Sequence, residues 1–167
     1  MPVSLVSAST VRPLRTRVLR PAFPPGTFAT YPEDTAVETL HVAATDDAGE
    51  VLAVATFYPE PPPASLRTVL PAGAFRPGAS WRLRGMASAE AVRGQGHGAA
   101  VLRAGLEAIA ARAGHFLWCN ARTGAIGFYT RLGLRAEGPE FDIAGVGPHR
   151  VMWTPVTPPG EAGLGPG

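Results

Sequence analysis

The sequence predicts an α/β fold in which helices flank a mixed β-sheet, and three observations lead to this prediction. Two strand-like runs, 36–45 and 51–58, are joined by turn-forming residues at 46–49, which is typical of a hairpin. From residue 81 the order is strand, glycine-rich loop, helix, strand, short helix and two more strands. The strand–helix–strand part implies a parallel crossover, so the hairpin and the crossover together give a mixed sheet.

Length and composition favour one packed domain. The chain has 167 residues, of which 46% are hydrophobic and 17% are charged, as expected for a globular protein rather than a disordered chain. We assign residues 1–154 to this domain. The proline- and glycine-rich residues 155–167 form a C-terminal tail that we expect to be disordered.

Several sequence features bear on location and partners. No apolar run approaches the ~18 residues needed to span a bilayer, and the first ten residues lack the basic start of a signal peptide. Cys119 is the only cysteine. We therefore expect a cytoplasmic protein without a membrane partner. All 15 basic residues are arginines, and we interpret the densest group as a solvated helix face rather than a nucleic-acid site; its members are Arg12, Arg15, Arg17 and Arg20.

Two N-terminal segments complete the predicted organisation. The helical spacing of Val11, Leu14 and Val18 predicts a helix that follows an N-cap at Ser9 or Thr10. Residues 59–80 are rich in proline and contain no predicted element. Because such a long irregular stretch often marks a functional loop, we interpret it as a wall of a substrate pocket.

The junction between the strand ending near Ser88 and the next helix contains three alternating glycines. Without side chains there, several backbone N–H groups can point at one ligand, and the positive end of the helix dipole favours an anion. Arg93 adds a charge and a planar donor fork that matches phosphate oxygens. We expect a diphosphate-bearing ligand on the residues of this loop: Arg93, Gly94, Gln95, Gly96, His97, Gly98 and Ala99.

Glycines between a strand and a helix are also typical of a P-loop, of a dinucleotide fingerprint and of a tight turn without a ligand. A P-loop requires a lysine, and the chain contains none. The spacing of Gly94, Gly96 and Ala99 is a permitted dinucleotide variant. That motif also requires an acidic residue about 20 positions later, where this chain has Asn120 and Arg122.

The loop resembles the Arg/Gln-x-x-Gly-x-Gly/Ala signature of the GNAT acetyltransferase superfamily. Residues 125–134 resemble the second signature of the same superfamily, so the resemblance covers about residues 81–137. Two later stretches, 118–122 and 147–152, are similar to ElaA-type members. The resemblance implies a GNAT-like mixed sheet with a splayed central strand pair and acetyl-CoA in the gap. It places the cofactor against Met86, Ala87 and Ser88, against the glycine loop, and against Asn120.

The resemblance also implies a reaction. A primary amine, on a small molecule or a protein, attacks the thioester directly, and Tyr129 acts as the general acid that protonates the departing thiolate. A backbone N–H near Met86 or Ala87 stabilises the oxyanion. A homodimer is common among similar proteins. The alternatives are a non-catalytic acyl-CoA sensor on the same fold and a dinucleotide-binding oxidoreductase.

At the general base the sequence departs from the family pattern. Many family members carry a glutamate on the strand where this chain has Arg82 and Arg84. His149 is our candidate, because an imidazole accepts a proton near neutral pH, and Glu140 and Asp142 are the other candidates.

Arg122 is a candidate for binding a substrate carboxylate or phosphate. We expect Cys119 to be a core residue and expect no metal site, because no cluster of metal-ligating residues has suitable spacing.

Overall fold

In the computed structural model, which describes residues 2–158 and 160, one seven-stranded mixed sheet has the strand order β1-β2-β3-β4-β5-β7-β6. The predicted α/β class is therefore confirmed. The helices and strands are β1 (Val3–Val6), α1 (Ala8–Leu19), β2 (Leu40–Thr45), β3 (Val51–Pro59), β4 (Ser80–Ser88), α2 (His97–Ala110), β5 (Phe116–Arg122), α3 (Ile126–Arg131), β6 (Arg135–Ile143) and β7 (Gly147–Pro155).

One parallel pair, β4 with β5, joins strand pairs that run antiparallel. Its ladder pairs Ser80 with Phe116, Trp81 with Leu117 and Arg82 with Trp118, at the beginning of both strands. The splayed central strand pair that the family resemblance implied stays a prediction.

The chain forms two compact units. The first unit comprises Met1–Tyr58 and Leu83–Ala108, and the second comprises Pro59–Arg82 and Ile109–Gly167. Strand β7 ends at Pro155, one residue beyond the predicted end of the domain, and the N–H of buried Val156 donates to the carbonyl of His115 at 2.8 Å. The rest of the predicted tail lies largely outside the described residues, and the single domain over 1–154 stays a prediction.

In the first unit, α1 begins earlier than the sequence suggested. Its N-cap is Ser7, not Ser9 or Thr10, so Pro13 lies beyond the first turn. The helix forms despite Pro13, because the packing of its apolar side on the sheet stabilises it. The buried cluster contains Val11, Leu14, Ala43, Val54 and Ala87.

Arg15 contradicts the prediction of a solvated arginine face, because its side chain is fully buried beneath α1. Its Nη1 and Nη2 donate to the two carboxylate oxygens of Asp34 at 2.8 and 3.0 Å. Nη2 also donates to the hydroxyl of Thr56 at 2.6 Å. Two parallel donors on one carboxylate make this a bidentate pair, which compensates the cost of burying both charges.

His41 continues the buried network. Its Nε2 lies 2.9 Å from the carbonyl of Asp34, which can only accept, so Nε2 carries the proton. Its Nδ1 lies 2.8 Å from the hydroxyl of Thr56. Both ring nitrogens of His41 are therefore hydrogen-bonded within the network.

In the second unit, residues 59–80 form part of the hydrophobic core. Two 3₁₀ turns, Ala64–Leu66 and Ala72–Phe75, give the segment local structure. Its buried side chains pack with residues of β5 and β7, so these contacts give no support to a pocket wall. The cluster comprises Leu66, Leu70, Ala74, Trp118, Val151 and Trp153.

Gly114 is required for space rather than for a turn. The left-handed residue after α2 is Ala113, with φ of 60°. A Cβ on Gly114 would lie 2.3 Å from Cγ2 of Ile109 and 2.8 Å from Nε1 of Trp81, closer than atoms can approach. The close approach of Gly114 to Ile109 and Trp81 in this unit therefore depends on the missing side chain.

The helices bear on membrane insertion as well. Among the helices of the described residues, none has the length and apolarity that a membrane span requires.

We expect Asp34→Ala to lower the free energy of unfolding by about 3–5 kcal/mol at pH 7, because it leaves the buried Arg15 charge without a partner. Burial raises the pKa of Asp34, but the hydrogen bonds from Arg15 and the Tyr31 N–H and the Arg15 charge outweigh it, so the net pKa is lowered. The stabilisation is therefore present above the unfolded pKa of 3.8 and is lost as the pH falls through the folded value.

Urea denaturation of wild type and variant at neutral and acidic pH measures this difference. Arg12→Ala is the control, since Arg12 reaches the same carboxylate at 3.3 Å but its side chain is 25% exposed. We expect the control to lose no more than about 1 kcal/mol. Equal losses in the two variants, or a loss for Asp34→Ala that persists in acid, would contradict this account.

Candidate functional site

The segment between β4 and α2 has the backbone geometry of a glycine loop. After Ser88 the chain forms a 3₁₀ turn at Glu90–Val92, and α2 begins at His97. Gly94 and Gly96 have φ of 81° and 87°, a region in which residues with a Cβ are strained. A Cβ at either position would meet nothing within 4 Å, so glycine is required here for conformation and not for space.

Within the described residues, four backbone N–H groups of this loop donate to no acceptor; they belong to Gly94, Gly96, Gly98 and Ala99. Two others are used locally: the N–H of Arg93 reaches the carbonyl of Glu90 and that of Gln95 reaches Val92, both at 3.3 Å. The unbonded donors coincide with the positive end of the α2 dipole, and the exposed Arg93 begins the loop. This combination suits an anionic ligand with several oxygens.

Strand β4 reaches this loop through an irregular residue. Gly85 has φ of 66°, and a Cβ there would lie 2.8 Å from Nε of Arg15 and 3.1 Å from Cε2 of Tyr31. After it, Ala87 is buried, whereas Met86 and Ser88 are half-buried. The buried side of β4 thus anchors the strand, and the buried network behind Gly85 determines which residue position 85 can hold.

Tyr129, the predicted general acid, lies on α3 and is 6% exposed. Its ring packs edge-on against Phe128, with centroids 5.2 Å apart. Burial raises the pKa of Tyr129 well above its ordinary value, and nearby Cys119 raises it further. Its hydroxyl makes no hydrogen bond to any described residue. The phenol is therefore protonated at neutral pH, and its O–H donates to none of the residues that the structure describes.

Cys119 is buried on β5, as the sequence predicted for a core residue. Burial raises the pKa of its thiol to about 12, although the charge of Arg82 acts in the opposite direction. Almost no thiolate exists at neutral pH under these conditions. A nucleophilic role for Cys119 therefore has no physical basis, because the thiolate is the reactive form.

Strands β5 and β7 bring several predicted residues together. In the antiparallel ladder Arg122 pairs with His149, and Asn120 pairs with Val151. The imidazole of His149 is buried and stacks on Phe141 at 6.0 Å. Its Nδ1–H donates to the carbonyl of Gly147 at 2.7 Å, so the lone pair of the neutral ring lies on Nε2.

The remaining acid candidates for the base differ from His149. Glu140 and Asp142 lie on β6 and are both exposed to solvent. Neither has an ion-pair partner within the part of the chain that the structure describes.

In the same part of the chain, no group of three His, Cys, Asp or Glu side chains is arranged to hold a metal ion.

Sequence reasoning missed the polar network behind β4. Its signal was present, because Val11, Leu14, Arg15 and Val18 follow the i, i+3, i+4, i+7 spacing of a buried helix face. Arg15 occupies a core position in that pattern. An arginine at a core position predicts a buried acidic partner, which the structure identifies as Asp34.

Comparison with known proteins gives one family match and several similar chains. The profile of the family described as "Acetyltransferase (GNAT) family" matches residues 9–134. A Bacillus subtilis protein named "Uncharacterized N-acetyltransferase YitI" is 31% identical over 151 residues, which is 90% of this chain and 93% of that protein.

Two solved structures of low sequence identity share the fold. Escherichia coli ElaA has a TM-score of 0.66 and 16% identity, covering 91% of this chain and 97% of its own. An aminoglycoside 6'-N-acetyltransferase, solved in complex with coenzyme A, has a TM-score of 0.64 and 14% identity. That likeness covers 95% of this chain and 98% of the acetyltransferase.

The buried Cys119 gives a direct chemical test. We expect a thiol-alkylating reagent to modify native protein far more slowly than urea-unfolded protein at pH 8. The pKa difference between about 12 and 9.0 is about three pH units, so the folded protein has about 1,000-fold less thiolate. Mass spectrometry over time measures the two rates. Equal rates in the folded and unfolded protein would show that the thiol is accessible and ionised.

Proposed function

Because the chain belongs to the GNAT acetyltransferase family, we propose that it transfers the acetyl group of acetyl-CoA to a primary amine by direct attack, with Tyr129 as general acid. The family match confirms the resemblance found in the sequence and identifies the protein as an acyltransferase. GNAT acetyltransferases act on amine acceptors in general. The match gives no support to the dinucleotide-binding alternative.

The unbonded N–H groups at the beginning of α2 are the observation that carries the proposal. The diphosphate of acetyl-CoA has the oxygen acceptors that four such donors require, and their helix end and Arg93 add favourable charge. The residues present therefore fit this group. When bound, acetyl-CoA would supply an activated thioester carbonyl, and Met86 and Ser88 would hold its pantetheine arm. Asn120 is a further contact, since its half-buried side chain makes no hydrogen bond within the described residues.

Three protein groups then serve the reaction. The N–H near Met86 or Ala87 donates to the oxygen of the carbonyl as charge develops on it. The lone pair on Nε2 of His149 accepts the proton of the amine, in the tautomer that Gly147 fixes. The hydroxyl of Tyr129 protonates the departing thiolate. Since burial raises the pKa of Tyr129, its proton is present throughout the neutral range.

We expect Gly96→Ala to weaken coenzyme A binding about 10-fold or more, because an alanine strains the loop and misaligns donors worth about 1.5–3 kcal/mol each to a charged acceptor. Isothermal titration calorimetry measures the dissociation constant. Gly49→Ala is the matched control: Gly49 has φ of 86°, and a Cβ there also meets nothing within 4 Å. If both variants bind coenzyme A as wild type does, the loop does not hold the diphosphate.

We expect Tyr129→Phe to lower kcat by about 10²–10⁴-fold and to leave the KM for acetyl-CoA nearly unchanged, because only the proton donor is removed. Release of free thiol against a panel of amines measures the rate. Tyr58→Phe is the control, since Tyr58 is a second buried tyrosine, 2% exposed, on β3. A Tyr129→Phe enzyme as active as wild type would remove Tyr129 from catalysis.

A further inference from the structure

We propose that Arg84 binds an anionic group of the acceptor, so that the acceptor is a primary amine that also carries a carboxylate or a phosphate. This inference rests on the proposed function, because it names the class of amine that the enzyme acetylates. Four observations in the first unit support it: the strand position of Arg84, its contact with Tyr31, its lack of an acidic partner and its accessibility.

Arg84 lies two residues before Met86 on β4, among the half-buried residues of that strand. Burial alternates along the strand, and the half-buried set is Arg82, Arg84, Met86 and Ser88. The Cα atoms of Arg84 and Met86 lie no more than about 7 Å apart, because two residues span no more than that even across the irregular Gly85. An acceptor held at Arg84 would therefore have its amine within a few atoms of the carbonyl near Met86.

The guanidinium of Arg84 is held in place by an aromatic ring. Its Cζ lies 4.0 Å from the centroid of Tyr31, a distance typical of a cation–π contact. Tyr31 is itself fixed, since its N–H donates to Asp34 at 3.1 Å and the Cζ of Arg15 lies 4.3 Å from its ring centroid. A stacked guanidinium presents its N–H groups at the edge of its plane, where a carboxylate or phosphate can accept two of them.

The charge of Arg84 is not neutralised by the protein. Arg15, on the same tyrosine, is paired with Asp34, and Arg82, on the same strand, is paired with Glu60 at 3.1 Å. Within the described residues, no acidic side chain lies within 4 Å of the Arg84 guanidinium, and none of its N–H groups has an acceptor. A half-buried cation that is fixed but unpaired favours an external anion.

The deciding experiment compares matched acceptors. Amino acids with the amine at the α, β or γ position are assayed against their carboxamides, and O-phosphoethanolamine against ethanolamine, by thiol release with acetyl-CoA. We expect wild-type kcat/KM to be at least about 10-fold higher for an anionic acceptor than for its neutral partner, since hydrogen bonds to charged groups are strong. Arg84→Gln should abolish this preference, and Arg84→Lys should retain part of it.

Arg67→Gln is the matched control. Arg67 also stacks on an aromatic ring, with its Cζ 4.4 Å from the centroid of Phe75, but it is exposed and lies outside β4. We expect this variant to keep the wild-type preference. Calorimetric binding of the same compounds to protein saturated with coenzyme A provides a readout that does not depend on turnover, and thermal melting verifies that each variant is folded.

The outcomes separate the two proposals. If acetyl-CoA does not bind, the proposed function is wrong. If acetyl-CoA binds but neutral acceptors bind and react as well as anionic ones, or Arg84→Gln leaves the preference intact, only the role of Arg84 is overturned. If the carboxylates are preferred over the phosphates, or the reverse, the result identifies which anion the acceptor carries.

Discussion

The conformation of Gly94 and Gly96 is the constraint on which the functional account depends. Their positive φ angles turn the chain from β4 into α2 while leaving four backbone N–H groups without an acceptor in the described residues. Unpaired N–H groups are normally satisfied by the protein, by water or by a ligand. A helix that begins this way is suited to an anion, and the family match specifies acetyl-CoA as the ligand to expect.

The first unit also shows how a buried charge can support a site without taking part in its chemistry. The ion pair of Arg15 with Asp34 connects α1 to the segment that carries Tyr31. It also accounts for Gly85, where a side chain would collide with Arg15. A buried pair of this kind contributes little net stability but is costly to break. Its consequence is a defined position for Tyr31, and therefore for Arg84.

Local signals in the sequence were enough to predict much of the fold. The hairpin followed from its turn: Asp46 accepts from the N–H groups of Ala48 and Glu50, both at 2.9 Å, and Gly49 has a positive φ. The glycine loop followed from its spacing and the family signature. Strand β1 was missed because its four residues depend on a distant partner, β2, and not on their own pattern.

The error in the placement of Arg15 has a similar physical origin. Arg15 was assigned to solvent because arginine is rarely buried, and only its long-range partner makes burial possible. The segment 59–80 contributes Leu66 and Leu70 to the core of the second unit, which its proline content did not predict. Its role as a pocket wall stays a prediction. The candidate role of Tyr129 came from its position in the family motif and that of His149 from the chemistry of imidazole, and both stay predictions; the structure adds that burial raises the pKa of Tyr129.

Amide chemical shifts in a ¹⁵N-labelled sample test the central claim most directly. On titration with coenzyme A, we expect large shifts at Gly94, Gly96, Gly98 and Ala99, because their N–H groups gain acceptors. Pantetheine, which has the same thiol arm but no diphosphate, should leave these four amides nearly unchanged. Coenzyme A that saturates the protein without moving them, or pantetheine that moves them equally, would contradict the proposed diphosphate site.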